Sequence, residues 1–268
     1  FEVGDSEEKI TDEGYYATLA TTSHFYQYVE GAFPTKLFVK TLLEQKEVCF
    51  DTETTGLDAN NAELVGIAFS YEKGSAYYIP FPESREEAQE LIEILRPFFE
   101  SENIVKIGQN LKYDIKVLKK YNIDVKGFIF DTMIAHYLIN PDMRHNMDVL
   151  AETYLKYSPK PIEDLIGKKG KGQKTMREVA LEDIKEYAGE DADITFQLKE
   201  IFAPRLEQSQ TKELFDTIEV PLVSVLADME AEGIRLDIPY LNALSEELTI
   251  EANTLETRIF ETAGEVFN

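Results

Sequence analysis

Three pairs of side chains are spaced for chemistry. Asp51 and Glu53 stand two residues apart behind the apolar run Val48-Cys49-Phe50. On an extended strand that spacing directs both carboxylates to one face, where they can converge on a hard cation through oxygen ligands. In a chain with 51 acidic residues, an Asp-x-Glu pair taken alone also reads as a turn-former and a surface charge. The apolar run favours the first reading, because it sets the pair at the edge of a buried sheet, where a lone charge is costly without a partner. Asn110 and Asp114 lie four apart at the start of a helical stretch, hence on one face. Asn110 stands where an N-cap would, and capping does not exclude contact with a substrate. Tyr187 and Asp191 repeat the spacing, so a phenol and a carboxylate point one way. A core tyrosine with its hydroxyl at the rim has the same signature. Glu190, Asp191 and Asp193 cluster, and only position in space separates a ligand from a solvated face.

These residues need a sheet and helices to position them. Val48 to Asp51 reads as a strand running into Thr52-Glu53-Thr54-Thr55-Gly56, whose glycine marks a turn. Leu64 to Ser70 and Ala76 to Pro80 follow as strands, and the three together predict a β-meander. Ser84 with Glu87 has the spacing of a capping box, and Ala88, Leu91, Ile92, Leu95, Phe98 and Phe99 recur behind it at helical period. Val105 to Gly108 predicts a further strand feeding a helix from Asn110 to about Tyr121, and Phe128 to Asp131 a fifth feeding a helix through Tyr137. The sum is an α/β fold, a mixed sheet flanked by helices. Leu181 to about Leu206 reads as a long helix, followed by helices over Thr211 to Glu232 and Leu241 to Phe267. The composition changes near Pro204 from mixed α/β to acidic and helical, so the expected domains are 1–205 and 206–268.

At 268 residues, 43% hydrophobic and 29% charged, the chain can bury a sizeable core. No run approaches the ~18 uninterrupted apolar residues of a membrane helix. Phe1 to Ile10 has neither a basic nor an apolar leader region, so no membrane association and a cytoplasmic location are expected. The single cysteine, Cys49, excludes an internal disulfide and a thiolate metal cluster. The net charge is −24, of which Glu207 to Asn268 holds −11, with fourteen acidic and three basic residues. Phosphate contacts normally require Lys and Arg. The candidates are the basic loop Gly167 to Arg177, carrying Lys168, Lys169, Lys171 and Lys174, and the helix bearing Lys112, Lys116, Lys119 and Lys120. A solvated loop and a solvated helix face are the alternative readings.

Taken in order, Asp51-Thr52-Glu53-Thr54, Gly108-Gln109-Asn110-Leu111-Lys112-Tyr113-Asp114 and Tyr187-Ala188-Gly189-Glu190-Asp191-Ala192-Asp193 closely resemble the three exonuclease motifs of the DEDD superfamily. A tyrosine four residues before the last aspartate, where the other subclass has histidine, sets the tyrosine subclass. The resemblance extends through Phe130-Asp131-Thr132-Met133 and Arg144-His145-Asn146-Met147-Asp148. From about Val48 to Leu198 the pattern is similar to the proofreading domain of family A, DNA polymerase I-type (Klenow-type) enzymes. Ile218 to Ile234 resembles the beginning of their polymerase portion, and Ala263 to Asn268 its next segment. The resemblance implies that residues 1–205 form a 3′→5′ exonuclease domain of ribonuclease H-like fold. Residues 206–268 would be the truncated N-terminal helical part of the polymerase domain. The chain is therefore expected to be a fragment, without palm, fingers or polymerase activity.

The resemblance further implies a metal-dependent proofreading exonuclease that hydrolyses the terminal phosphodiester of a single-stranded or frayed DNA 3′ end and releases nucleoside 5′-monophosphates. Two divalent metal ions, Mg²⁺ first and Mn²⁺ or Zn²⁺ as alternatives, would be held by Asp51, Glu53, Asp114 and Asp191. Asp51 would bridge both, Glu53 and Asp191 would complete the first shell, and Asp114 would hold the second ion mainly through water. Tyr187 and Glu53 would orient the attacking water, since a phenol with a pKa near 10 is a poor base at neutral pH. Leu57 would wedge against the terminal bases, ordinary packing being the other reading. Thr54, Gln109, Asn110 and Arg144 would contact the last nucleotides. The basic loop is one residue longer than in related enzymes. Ile162 stands where some have a base-stacking aromatic, worth ~1–3 kcal/mol per base, so a modest grip on single strands is expected. The protein would act as a monomer beside the polymerase domain of the full-length enzyme. A ribonuclease D-like exoribonuclease shares the motifs, but the Ile218 to Ile234 segment argues against it. A catalytically silent scaffold domain would lack carboxylates that are all present here.

Overall fold

Six strands of the computed structural model, which describes residues 16–170 and 172–267, join in one mixed sheet. Phe1 to Ile10, Lys171 and Asn268, which entered the expectations above, lie outside the described residues. In chain order the strands are β1 (Phe25–Tyr28), β2 (Glu47–Thr54), β3 (Leu64–Glu72), β4 (Ser75–Pro80), β5 (Val105–Gly108) and β6 (Ile129–Asp131), and across the sheet β1-β4-β3-β2-β5-β6. The expected meander β2-β3-β4 is antiparallel throughout. Strands β5 and β6 add in parallel beside β2, and β1 adds in parallel to β4. The sequence reading contained five strands and lacked β1. This edge strand has only four residues, alternating between exposed and half-buried, and so carries little periodic signal.

Around the sheet stand α1 (Ala32–Leu43), α2 (Arg85–Phe99), α3 (Leu111–Lys119), α4 (Thr132–Ile139), α5 (Met147–Leu150), α6 (Glu163–Ile166), α7 (Leu181–Gln208), α8 (Lys212–Leu214) and α9 (Val220–Glu232). Ser84 caps α2 by accepting from the Glu87 amide at 3.4 Å, and the six apolar positions expected at helical period are its six buried residues. The expected helix over Thr211 to Glu232 is interrupted: a wider turn at Phe215–Glu219 separates α8 from α9.

The period of two along a strand sorts the sheet's faces. Phe50 on β2 pairs with Phe69 on β3, and both meet the α2 aromatics, with Phe50 to Phe99 at 5.2 Å and Phe69 to Phe98 at 5.6 Å between ring centroids. Asp51 and Glu53 take the opposite face, beside the small partners Ala68 and Gly66. The Tyr78 ring lies over Gly66, where a Cβ would come within 1.9 Å of its hydroxyl, so only glycine fits. Helix α7 packs on this second face against β2, β3 and β4. Its approach is set by Gly189, whose hypothetical Cβ would stand 2.9 Å from the Tyr26 ring.

α7 continues through Pro204 to Gln208 because Phe202 and Leu206, on either side of the proline, are buried. The boundary expected at 205/206 falls within the last turn of this helix, and by internal packing the chain divides into compact units at Ala231/Glu232. The second unit is helix α10 (Ile238–Ala263), capped by Asp237, whose carboxylate accepts from the Tyr240 amide at 3.1 Å, and ended by Gly264 in the left-handed region at φ 77°. No helix among the described residues is long and apolar enough to cross a membrane.

Candidate active site

The end of β2 delivers two carboxylates to the α7 face, and α7 supplies a third. One oxygen each from Asp51, Glu53 and Asp191 lies within 4.8 Å of the others. Glu53 and Asp191 are 7% and 8% exposed, and Glu53 Oε1 and Asp191 Oδ1 are buried with no hydrogen-bond partner. Buried acceptors are normally satisfied, so two orphans in one cluster suit an electropositive guest. Burial pushes the Asp51 carboxyl up to about 6. Burial, and then the charges of Asp51 and Asp114, raise Glu53 well above the carboxylate range, and Asp191 rises by burial and by the charges of Asp51, Glu53 and Glu190. Three hard oxygen donors that repel one another in a desolvated site fit a divalent cation.

Asp114 reaches the same strand end from the other side. Its Oδ1 accepts from the Thr52 hydroxyl at 2.6 Å and from the Thr52 amide at 3.0 Å. Burial, and then the charge on Asp51, raise its carboxyl as well. Asn110, for which capping is the alternative to a substrate contact, holds the N-cap position in left-handed conformation at φ 62° and makes no capping bond through its side chain. Asp131 serves instead: its carboxylate accepts from the amides of Asn110 at 3.2 Å and Leu111 at 2.7 Å, and also from those of Met133 and Ile134 at the start of α4. One buried acid thus joins two helix N-termini, and the Asn110 side chain stays available to the cleft.

Tyr187 lies one turn before Asp191 and lines the cleft with it. Burial, and then Asp191, Glu53 and Asp51, raise its phenol far above the ordinary value, so it is a neutral hydroxyl at working pH. The segment of α7 around Asp191 is anchored on both flanks. Glu190 accepts from the Tyr157 hydroxyl and from the Lys160 amide at 2.9 Å. Asp193 accepts from the Tyr26 hydroxyl at 3.0 Å and from Gly74 N and Gln197 Nε2 at 2.9 Å.

The carboxylates sit in a cleft of about 580 Å³. Thr54, Leu57, Gln109, Asn110 and Ile162 also line it. Leu57 is 91% exposed at its mouth. The turn that carries Leu57 is pinned by Tyr113, whose hydroxyl donates to Gly56 O at 2.5 Å and lies 2.5 Å from Thr54 Oγ1. Gln109 spends its amide on the scaffold, donating to His145 O at 2.7 Å and accepting from Thr132. That bond tethers the loop beside Arg144, which is itself exposed and does not line the cleft. Thr52, Tyr113 and Asp131 were not singled out for these roles in the sequence, although each lies inside or next to a quoted motif.

The four lysines considered for phosphate contact, three on α3 and Lys120 just after it, are engaged elsewhere. Lys112 and Lys116 both hold Glu230, at 2.6 and 2.9 Å, and Lys119 holds Asp228 at 2.5 Å. Lys120 holds Glu63 at 3.3 Å and the Ala62 carbonyl. An acidic helix more than a hundred residues away covers the first three.

Comparison with known proteins supplies the context. Residues 26–207 match the family described as 3′–5′ exonuclease, the exonuclease domain of family A DNA polymerases. DNA polymerase I of Pseudomonas aeruginosa is 38% identical over 242 residues, 86% of this chain and 26% of that protein. DNA polymerase I of Borreliella burgdorferi is 35% identical over 254 residues, 94% of this chain and 27% of that protein. The chain thus spans about a quarter of the length of these relatives. Among solved structures, the POL domain of Pol1 from M. smegmatis superposes with a TM-score of 0.73 at 18% identity, covering 90% of this chain and 38% of that one. Brucella melitensis NrnC, solved also with bound Mg²⁺, gives 0.62 at 20% identity, covering 79% of this chain and 94% of that one. These likenesses show the fold, a ribonuclease H-like mixed sheet flanked by helices. With the matched span and the sequence identities together, the chain belongs to the 3′–5′ exonuclease family of DNA polymerase I enzymes.

Proposed function

We propose that the protein is a metal-dependent 3′→5′ exonuclease that removes the terminal nucleotide of a single-stranded or frayed DNA end as a nucleoside 5′-monophosphate, and that it proofreads for the polymerase domain of a longer enzyme. The observation that carries this reading is the trio of carboxylate oxygens within 4.8 Å of one another, with buried, unpartnered oxygens on Glu53 and Asp191, at the floor of an open cleft. Asp51, Glu53 and Asp191 would hold one divalent ion, and Asp114 with Asp51 a second. When bound, such ions supply a water of lowered pKa and charge stabilisation for in-line displacement at phosphorus.

The chain's own residues provide the rest. Tyr187 keeps its proton and presents a hydroxyl beside Asp191 and Glu53, which suits it to orient a water rather than to deprotonate it. Leu57 offers an apolar surface to the terminal base, with Thr54 and Asn110 at polar positions along the wall. Gln109 and Arg144 act together through the His145 carbonyl, Gln109 fixing the loop from which Arg144 reaches the strand. The product is a nucleotide, and the working form is a monomer.

The test is to incubate the chain with 5′-labelled single-stranded DNA or RNA in Mg²⁺ or Mn²⁺, alongside Asp51→Ala. A ladder shortening from the 3′ end of DNA, absent with chelator and in the variant, is expected. Preferential loss of RNA would replace this reading with an exoribonuclease. No degradation in either metal would replace it with a silent scaffold domain.

A further inference from the structure

Among the described residues lining the cleft, Lys174 is the sole Lys or Arg, set against Asp51, Glu53, Asp114 and Asp191. Its backbone is fixed from both sides. The Lys174 amide donates to Ile166 O at 2.9 Å, the Gln173 amide donates to Gly170 O at 3.2 Å, and the Thr175 amide donates to Glu178 Oε2 at 2.8 Å. Two residues on, Met176 is buried at 4% exposure and anchors the segment to the core. The side chain itself is exposed. Glu178, the acid of the same turn, is folded back on Thr175 through both its amide and its hydroxyl. No ion pair holds the Lys174 ammonium among the described residues, whereas Lys112, Lys116, Lys119 and Lys120 are all paired.

The neighbourhood is what a nucleotide requires. Ile162 is 41% exposed on the same wall, one helical turn before Ile166, whose carbonyl holds the Lys174 amide. An apolar surface for a base thus adjoins a cation for a phosphate. A phosphodiester strand entering among four carboxylates meets repulsion that cations at the cleft floor offset only locally, so a positive group on the wall has its largest effect on the phosphates outside the floor.

We propose that Lys174 is a substrate-binding residue, its ammonium taking a non-bridging phosphate oxygen of the strand that lies in the cleft. The inference rests on the exonuclease reading and adds to it a determinant of strand grip. The experiment measures affinity of the 268-residue chain for a short fluorescein-labelled oligothymidylate by anisotropy, in Ca²⁺ across a salt series, for the parent, Lys174→Ala and Lys174→Arg. Lys174→Ala is expected to weaken binding roughly three- to tenfold at low salt and to change the slope of log affinity against log salt by about 0.7, the share of one phosphate contact on a single strand. Lys174→Arg is expected to keep the parental slope. In turnover the same loss appears in KM, with kcat within about twofold, because a uniform binding contact leaves the chemical step alone. Unchanged affinity and slope in Lys174→Ala, or a fall in kcat at constant KM, overturns the proposal. A parent chain that binds but cleaves no strand sinks the exonuclease reading, while the anisotropy slopes still decide whether Lys174 holds a phosphate.

Discussion

The hydroxyl and the amide of Thr52 both close on the same oxygen of Asp114, at 2.6 and 3.0 Å. The strand residue between Asp51 and Glu53 thus points away from them and locks the remaining carboxylate from behind. Thr52→Val keeps the β-branched shape, removes the hydroxyl and leaves Asp114 with the amide alone. The expected loss is about tenfold or more in kcat, with a stability cost of about 1–3 kcal/mol for an under-satisfied buried acid, and Thr52→Ser restores both. Steady-state rates with urea midpoints check it; a Thr52→Val protein as fast as the parent would show that Asp114 needs no such support.

The carboxylate cluster predicts an unusual pH dependence of stability without metal. Asp51, Glu53, Asp114 and Asp191 all have folded-state values above the ordinary range. The folded state therefore binds more protons than the unfolded one, and stability falls as pH rises from about 4 through about 6 and beyond. Thermal melts in chelator should show Tm decreasing over that window, with Mg²⁺ or Mn²⁺ restoring it increasingly at higher pH. Asp191→Asn should melt higher than the parent in chelator and gain less from the ion. A chelated parent whose Tm is flat from pH 5 to 8 would count against the cluster's mutual repulsion.

Tyr113 reaches across to Gly56 O and Thr54 Oγ1 and fixes the turn that presents Leu57. Tyr113→Phe should leave the carboxylates in place and loosen that turn. The expected result is a several-fold rise in KM for single-stranded DNA with little change in kcat. Equal losses in kcat and kcat/KM would instead mean that Tyr113 serves the reacting centre.

Legibility in the sequence followed the distance over which each feature is determined. Asp51 and Glu53, and likewise Tyr187 and Asp191, share a face through local periodicity alone, and the structure sets Asp51, Glu53 and Asp191 side by side. The meander was legible because β3 is buried over seven successive residues and bounded by polar turns. Asn110 holds the N-cap position that its place in the sequence suggests, but the capping bonds come from Asp131, 21 residues away, and no local rule reveals a donated cap. The compositional change near Pro204 falls inside a helix, as the expected span to about Leu206 requires, and the buried Phe202 and Leu206 hold its backbone on course through the proline. The α3 lysines looked free because their partners, Asp228 and Glu230, lie over a hundred residues on.

Those partners can be removed. Glu230→Ala frees Lys112 and the more buried Lys116, and because Glu230 itself is 41% exposed the loss should lower Tm only slightly. Released ammonium groups should strengthen salt-sensitive binding of DNA regardless of sequence or end structure. Anisotropy with a closed circular single strand, which offers no 3′ end, checks this; identical affinity for parent and variant would show that α3 stays out of reach of DNA.

Glu190 and Asp193, tied to Tyr157, Lys160, Tyr26 and Gly74, index the rotational phase of α7. Successive residues turn by about 100° around a helix, so acids at 190, 191 and 193 face three bearings. Two of those bearings are bolted to the body of the protein and one is left to the cleft. At a side-chain radius of about 6 Å, a twist of about 10° carries the Asp191 oxygens about 1 Å off station. Displacements of that size cost about a hundredfold in rate. The torsional stiffness of one helix, set by tyrosines remote from the chemistry, is thus a tolerance on the reaction itself.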